Sequence, residues 1–486
     1  MTKKSIAINS IFNMVYKGFT ALFPLLTTTY IARTLLPEKV GLVSYANTIV
    51  VYFTTLASLG IPNYGVKEIS KCGENIQERS KTFSELFSIN FVSTTICIAL
   101  YYIFVNFFSY FQEQRPVLNT MGLMLIFNLF NVDWFYQGIE EYGIIATRGM
   151  IVKIVSFIAM LLFVKNPNDY LKYALILCMA TAGNYIFNMV ILKRFVVIKK
   201  YVLNIRHHLK PVFILLASSI ATELYMALDT IMLEYFHGSA NVAYYSNATK
   251  IVRMIYTMVI ALVATFYPRI AYYIQNNQKE ESNKLIEKGF DIILLMALPC
   301  VIGLMSTAKY IVLILFGNEY VNSISVLEIA SVLVFVFSAA YMLGHIILMA
   351  SGQEKYILHA TVAGAIVNAI LNSCLIPAYA ENGAIIASVV SEVTVTTVLI
   401  FHSRRNFALS KDYSFARSIL ISVLTMTIGI VVTSKYLLFS NSIAIQFMEI
   451  VLVAIFIYAG FLIITKNKLV FDVAGLVMKK VVRRRR

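Results

Sequence analysis

Charged side chains are scarce in this chain. They make up 14% of its 486 residues, where an ordinary globular domain carries about 25%. Cysteine is sparse as well. Cys72, Cys97, Cys178, Cys300 and Cys374 are odd in number and scattered, and four of them sit inside apolar runs. With no CxxC spacing and no Cys/His cluster, neither a metal centre nor a redox pair nor a secreted disulfide framework is expected. No polar stretch is long enough to build a sizeable water-soluble domain. These absences exclude a soluble enzyme and a disordered chain.

What fills the chain instead is apolar: 59% of its residues. A helix crossing a bilayer needs about 20 mostly apolar residues, so fourteen would use about 280. Fourteen spans are read, at 8–32, 40–61, 83–107, 117–137, 144–164, 170–192, 211–236, 242–268, 291–316, 324–350, 357–379, 383–401, 416–438 and 443–465. Strands of a membrane barrel would be about 10 residues long with strict alternation. The expected class is therefore an all-α integral membrane protein with about 14 transmembrane helices.

The formal charge of +16 is a membrane signal here, not a nucleic-acid one, because the basic residues sit between apolar spans. With the N-terminus inside, the inner segments hold 28 Lys and Arg and the outer segments 5. The positive-inside rule then puts both termini in the cytoplasm. Lys3 and Lys4 precede an apolar run too long for a signal-peptide core, so the first span is expected to stay uncleaved. Outer loops are short, which argues against a catalytic ectodomain. Inner loops 62–82 and 269–290 are longer and amphipathic, and each is expected to hold a short interfacial helix.

Those two loops follow the second span of each putative half. Val40–Asn47 resembles Val242–Thr249, and Pro62 and Pro268 close the preceding helices at similar distances. The layout suggests two six-helix pseudo-symmetric lobes, residues 1–192 and 211–401, joined by a basic cytoplasmic linker at 193–210. Residues 402–486 would supply two extra spans and a basic tail. Parallel repeats of this kind are a known transporter design, with the cavity expected between the lobes.

Charge inside a membrane is costly, about 2.5–3.5 kcal/mol at a helix centre. Such residues are thus candidates for function or for ion pairing. Lys17 shares a helical face with Asn9, Asn13 and Thr20 in the first span. Asp133 ends the fourth, and Arg148 and Lys153 lie in the fifth, where snorkelling to the surface is the plain alternative. Glu223 and Asp229 lie in the seventh. Lys250 and Arg253, three apart and hence on one face, lie deep in the eighth. An interior with Lys17, Arg148, Lys153, Lys250 and Arg253 suits an anionic substrate, and pyrophosphate offers several charge-assisted hydrogen bonds. Asp133, Glu140, Glu223 and Asp229 are left as coupling or ion-pair residues, two roles the residues alone do not separate. Most of the 30 Tyr and 33 Phe serve packing and interface anchoring. Tyr225, Tyr244 and Tyr245 are candidates for contact with sugar.

Three stretches carry a resemblance. Leu59-Gly60-Ile61-Pro62-Asn63-Tyr64-Gly65-Val66-Lys67-Glu68-Ile69 follows the second span. Asp133-Trp134-Phe135-Tyr136-Gln137-Gly138-Ile139-Glu140-Glu141, with Arg148 and Val152-Lys153-Ile154, joins the fourth span to the fifth. Leu228-Asp229-Thr230-Ile231-Met232-Leu233, with Val242-Ala243-Tyr244-Tyr245-Ser246, joins the seventh to the eighth. Together they resemble bacterial oligosaccharide repeat-unit flippases of the Wzx type, in the multidrug/oligosaccharidyl-lipid/polysaccharide exporter superfamily. The chain departs from that pattern at Ala243, where glycine is more usual. The resemblance implies a transporter, not an enzyme, in the bacterial cytoplasmic membrane. It would flip undecaprenyl-pyrophosphate-linked oligosaccharide by alternating access for capsule or O-antigen synthesis. It implies no cofactor beyond a coupling ion (H+ or Na+), and membrane lipid, a polymerase and other assembly proteins as partners, with no nucleic acid. Two alternatives stay open: a drug/cation antiporter of the same superfamily, which would need a carboxylate-dominated lumen, and a membrane glycosyltransferase or polymerase, which would need catalytic residues on sizeable outer loops.

Overall fold

The computed structural model describes residues 23–465 and 467, apart from 198, 200, 405, 408–413 and 439. The described residues are helical with no strand. The helices are α1 (23–34), α2 Pro37–Ser58, α3 Ile61–Lys71, α4 Ile76–Phe107, α5 Arg115–Met121, α6 Leu123–Asn128, α7 Asp133–Gly138, α8 Tyr142–Phe163 and α9 Tyr170–Leu192. Then come α10 Arg206–His237, α11 Ser239–Val263, α12 Tyr267–Gln275, α13 Lys279–Leu315, α14 Ser323–Ala330, α15 Leu333–Tyr341, α16 Glu354–Ser403, α17 Ser414–Tyr436 and α18 Ile443–Ile464. By length and composition, ten helical stretches among the described residues can cross a membrane. Many face outward with apolar side chains, such as Leu452, Ile455 and Phe456 of α18 and Leu424, Ile428 and Val431 of α17. Such a surface suits lipid, not water.

Compactness divides the chain after Ser246. In the first unit α10 packs on α2 and α3, and α4 packs on α2. One core cluster centres on Val43, Tyr101, Leu118 and Met121. A second gathers Ile61, Leu86, Trp134, Phe135 and Val212. Trp134, the sole tryptophan, is buried and stacks on Phe83 with ring centroids 5.7 Å apart. It serves the interior, not the interface belt. In the second unit α13 is the central element, flanked by α14, α15, α17 and α18. The Tyr458 hydroxyl of α18 donates to the Leu295 carbonyl of α13 at 2.7 Å.

The segments expected as loops 62–82 and 269–290 each overlap a separate short helix, α3 and α12, with proline in the first turn: Pro62 and Pro268. Proline is tolerated there because the first-turn N–H has no helical partner to lose. The fourth expected span, 117–137, is not one helix. It divides into α5, α6 and α7, and at the α6–α7 break asparagine side chains take up backbone groups: the Asp133 N–H donates to Asn131 Oδ1 at 3.4 Å, and Asn90 Nδ2 to the Asn128 carbonyl at 3.3 Å. Asn131 Nδ2 donates to Asn128 Oδ1 at 3.2 Å, and Trp134 Nε1 donates to the Asn131 carbonyl at 3.2 Å. The spans expected at 357–379 and 383–401 are joined in α16, which reverses at Ala380 (φ 49°, ψ −130°). Its two legs run back to back: Asn368 Nδ2 donates to Ser391 Oγ at 3.4 Å.

The stretch that resembles Val242–Thr249 packs against its counterpart. A Cβ added at Gly41 would meet the Ser239 carbonyl oxygen at 1.6 Å and the Ala243 nitrogen at 3.2 Å. The glycine that permits close approach is therefore Gly41 on α2, which leaves room for alanine at 243.

Candidate functional site

The richest polar network in the first unit is built on the break before α7. Asp133 is the first residue of that helix, with Arg148 on α8 facing it. Arg148 Nη1 lies 3.0 Å from Asp133 Oδ1, and Nη2 lies 3.3 Å from Oδ2. This is the bidentate geometry that a planar guanidinium favours. Arg148 Nε donates to Asn184 Oδ1 at 3.0 Å, and Nη1 also meets Asn188 Oδ1. Asn188 Nδ2 donates to Asp133 in turn, and the Asn188 carbonyl accepts from the Tyr136 hydroxyl at 2.5 Å. Arg148 is 4% exposed, and Asp133 30% by its side chain. Every Arg148 nitrogen thus has a partner on α7 or α9, so the guanidinium is held inside the protein and does not snorkel to the surface. Asn184 and Asn188, one helical turn apart on α9, escaped notice in the sequence. The signal was there: two amides at i, i+4 inside an otherwise apolar span.

The first two quoted motifs meet. A Cβ at Gly65 of α3 would meet the Trp134 ring at 2.4 Å, so glycine at 65 lets α3 lie flat on α7. Glu140 follows α7 with a left-handed backbone (φ 59°) and is exposed. Lys153 is half-buried one and a half turns beyond Arg148 on α8, with no ion-pair partner among the described residues.

Around α10, Asp229 is buried and accepts a hydrogen bond from the Tyr245 hydroxyl. Glu223 is half-buried, and it and Asp229 both act electrostatically on Tyr52 of α2. Tyr245, a candidate for sugar contact, is itself buried and engaged with this carboxylate. In the second unit Lys250 and Arg253 both stand exposed on α11, three residues apart. Lys250 Nζ reaches Asn247 Oδ1 at 3.5 Å, and neither cation has a carboxylate partner among the described residues. Arg253 acts on Tyr256, as does Glu392. Lys17 lies outside the described residues.

The fold has known counterparts. The lipid II flippase MurJ in an inward closed conformation is superimposable with a TM-score of 0.76 over 95% of this chain and 99% of that one, at 15% identity. At that identity the likeness is one of fold. Together with ten apolar helices, it defines a multi-pass membrane protein of the transporter architecture shared by MurJ and the multidrug MATE carriers.

The sequence pattern described as polysaccharide biosynthesis protein matches residues 6–274, and that described as MatE matches 215–374. The chain belongs to the polysaccharide biosynthesis protein family. Among its relatives, a protein of Escherichia coli (strain K12) named for O-antigen transport is 24% identical over 411 residues, 83% of this chain and 98% of the relative. The capsular polysaccharide biosynthesis protein CapF of Staphylococcus aureus is 23% identical over 400 residues, 79% of this chain and 96% of the relative.

Proposed function

We propose that this chain carries an undecaprenyl-pyrophosphate-linked oligosaccharide repeat unit from the cytoplasmic to the outer leaflet of a bacterial cytoplasmic membrane. It does so by alternating access, feeding capsule or O-antigen-type polymer synthesis. One observation carries the reading. Lys250 and Arg253 stand exposed on one face of an apolar helix, with no carboxylate among the described residues to neutralise them. Bare cations at such a depth are costly, and a pyrophosphate relieves that cost with charge-assisted hydrogen bonds. A cation antiporter would need a carboxylate-dominated lumen instead, and the exposed charges on this face of α11 are cations.

In this reading Lys250 and Arg253 meet the pyrophosphate of the passenger, while Arg148 fixes Asp133 and stiffens the helices around it. The prenyl tail stays in lipid. Asp229, with Glu223, takes the coupling ion (H+ or Na+), and Glu140 marks the inner end of the lobe. The lobe division at 193–210, the cytoplasmic placement of both termini and an association with a polymerase belong to the same proposal.

The test is leaflet-resolved measurement of lipid-linked oligosaccharide in the source bacterium. Deletion is expected to trap the repeat unit in the inner leaflet, and Lys250→Ala with Arg253→Ala to cut export at least tenfold at unchanged protein level. A deletion strain with normal outer-leaflet oligosaccharide would end the flippase reading. Wild-type export by the double variant would end the anion-site part alone.

A further inference from the structure

Where the basic linker returns to the first unit, three chemically matched side chains converge. Glu85 comes from α4, and His207 and His208 from the first turn of α10. Glu85 and His208 are 3% and 1% exposed, yet His207 beside them is open to solvent. One ligand atom from each lies within 4.8 Å of the others. His208 Nε2 stands 3.1 Å from Glu85 Oε2, and the two histidine rings have centroids 3.7 Å apart. The other sides of both buried groups are already held. Glu85 Oε1 accepts from the Asn204 backbone N–H at 2.7 Å, and His208 Nδ1 pairs with the Tyr64 hydroxyl at 2.9 Å.

We infer that Glu85, His207 and His208 form a binding site for a divalent transition-metal ion of the Zn2+, Co2+ or Ni2+ type. Two imidazoles and one carboxylate are the donor set such ions prefer, whereas Mg2+ and Ca2+ favour oxygen. The spacing agrees. Imidazole and carboxylate ligands sit about 2.0–2.2 Å from a tetrahedral zinc, so two of them on one ion stand about 3.4 Å apart, within a few tenths of an ångström of the 3.1 Å between Nε2 and Oε2. The remaining bonds have the form of an outer shell around a metal ligand. Tyr64 fixes the His208 ring through its far nitrogen, and Asn204 fixes Glu85 through its far oxygen. The exposed His207 gives the ion a way in. Bound there, the ion ties residues 204–208 to α4, and through Tyr64 to α3. It would fasten the end of the linker to the lobe. The sequence alone did not show this, because Glu85 and His208 are 123 positions apart. The inference does not depend on what the protein transports.

The experiment uses the purified full-length protein in detergent, free of any polyhistidine tag. Titration with Zn2+ by calorimetry, and with Co2+ by its ligand-field absorption, is expected to show one ion per chain. The thermal midpoint should rise as free metal exceeds the dissociation constant. His207→Asn removes an exposed ligand and leaves the Tyr64–His208–Glu85 bonds intact, so it should fold normally and weaken binding at least tenfold. Glu85→Gln should weaken it further. His402→Asn, at a separate histidine stacked on Tyr356, should change nothing. Absence of binding, or a His207→Asn protein that binds like the parent, overturns the site; so does loss of binding in His402→Asn.

Discussion

Arg148 of α8 and Asp133 of α7 hold each other with two nitrogens on two oxygens, 3.0 and 3.3 Å apart. Two asparagines of α9 complete the Arg148 fork, so the pair locks α7, α8 and α9 into one piece. Such a lock makes the three helices behave as one, because pulling any of them away strands buried polar groups on the others.

Arg148→Ala should therefore destabilise the protein by about 2–4 kcal/mol, since it leaves Asp133 and Asn188 without their donor. Arg148→Lys should lose most of that too, because an ammonium cannot span both oxygens. Asp133→Ala combined with Arg148→Ala should cost less than the two single changes added together. The measurement is the thermal midpoint of each variant in one detergent. Strict additivity would mean that the two residues do not act as a pair.

Asp229 and Tyr245 offer a way to separate coupling from scaffolding. Asp229→Asn keeps shape and hydrogen bonding but removes the charge, and it should alter how transport varies with pH or sodium. Tyr245→Phe removes one hydrogen bond, about 0.5–1.5 kcal/mol, and should lower stability slightly while keeping ion dependence. An ion profile unchanged in Asp229→Asn would leave that carboxylate a structural role only.

Gly41 is the contact point of α2 with the start of α11. Gly41→Ala should lower stability by about 1–3 kcal/mol, and Gly41→Val by more, since backbone rather than a flexible side chain is in the way. Detergent-solubilised yield and thermal midpoint report this. A Gly41→Ala protein as stable as the parent would show that the helices are not so close.

Ala380 has a positive φ in the middle of α16, a conformation that costs an L-residue about 1–3 kcal/mol. Glycine takes it without a Cβ penalty. Ala380→Gly is thus expected to raise the midpoint by the equivalent of about 1 kcal/mol, and a fall would argue against the reversal.

Much of the fold was legible in the sequence for one physical reason: a bilayer demands long apolar runs, and composition shows them directly. The two short helices were legible in the amphipathic pattern of 62–82 and 269–290, whereas Pro62 and Pro268, expected to close the preceding spans, sit in the first turns of α3 and α12. The break between α6 and α7 was invisible, since hydropathy runs on through residues 128–132 while Asn128 and Asn131 reroute the hydrogen bonds locally. At the candidate site, cost arguments found Asp133, Arg148 and Asp229 one by one. They did not find the partners, because Asn184, Asn188 and Tyr245 are uncharged and carry little hydropathic weight. Glu85 and His208 were missed because only folding unites them.

The reversal at Ala380 has a bearing on how the protein is made and mapped. A chain that turns on a single alanine offers a protease, a glycan or an antibody little more than the exposed residues 377–379 to grip. The two legs of α16 can pair only once both have left the ribosome, so they should settle in the lipid as a pair. Reporter fusions placed at that bend would split a pair that matures as one, and those at 318–322, where α13 hands over to α14, would not.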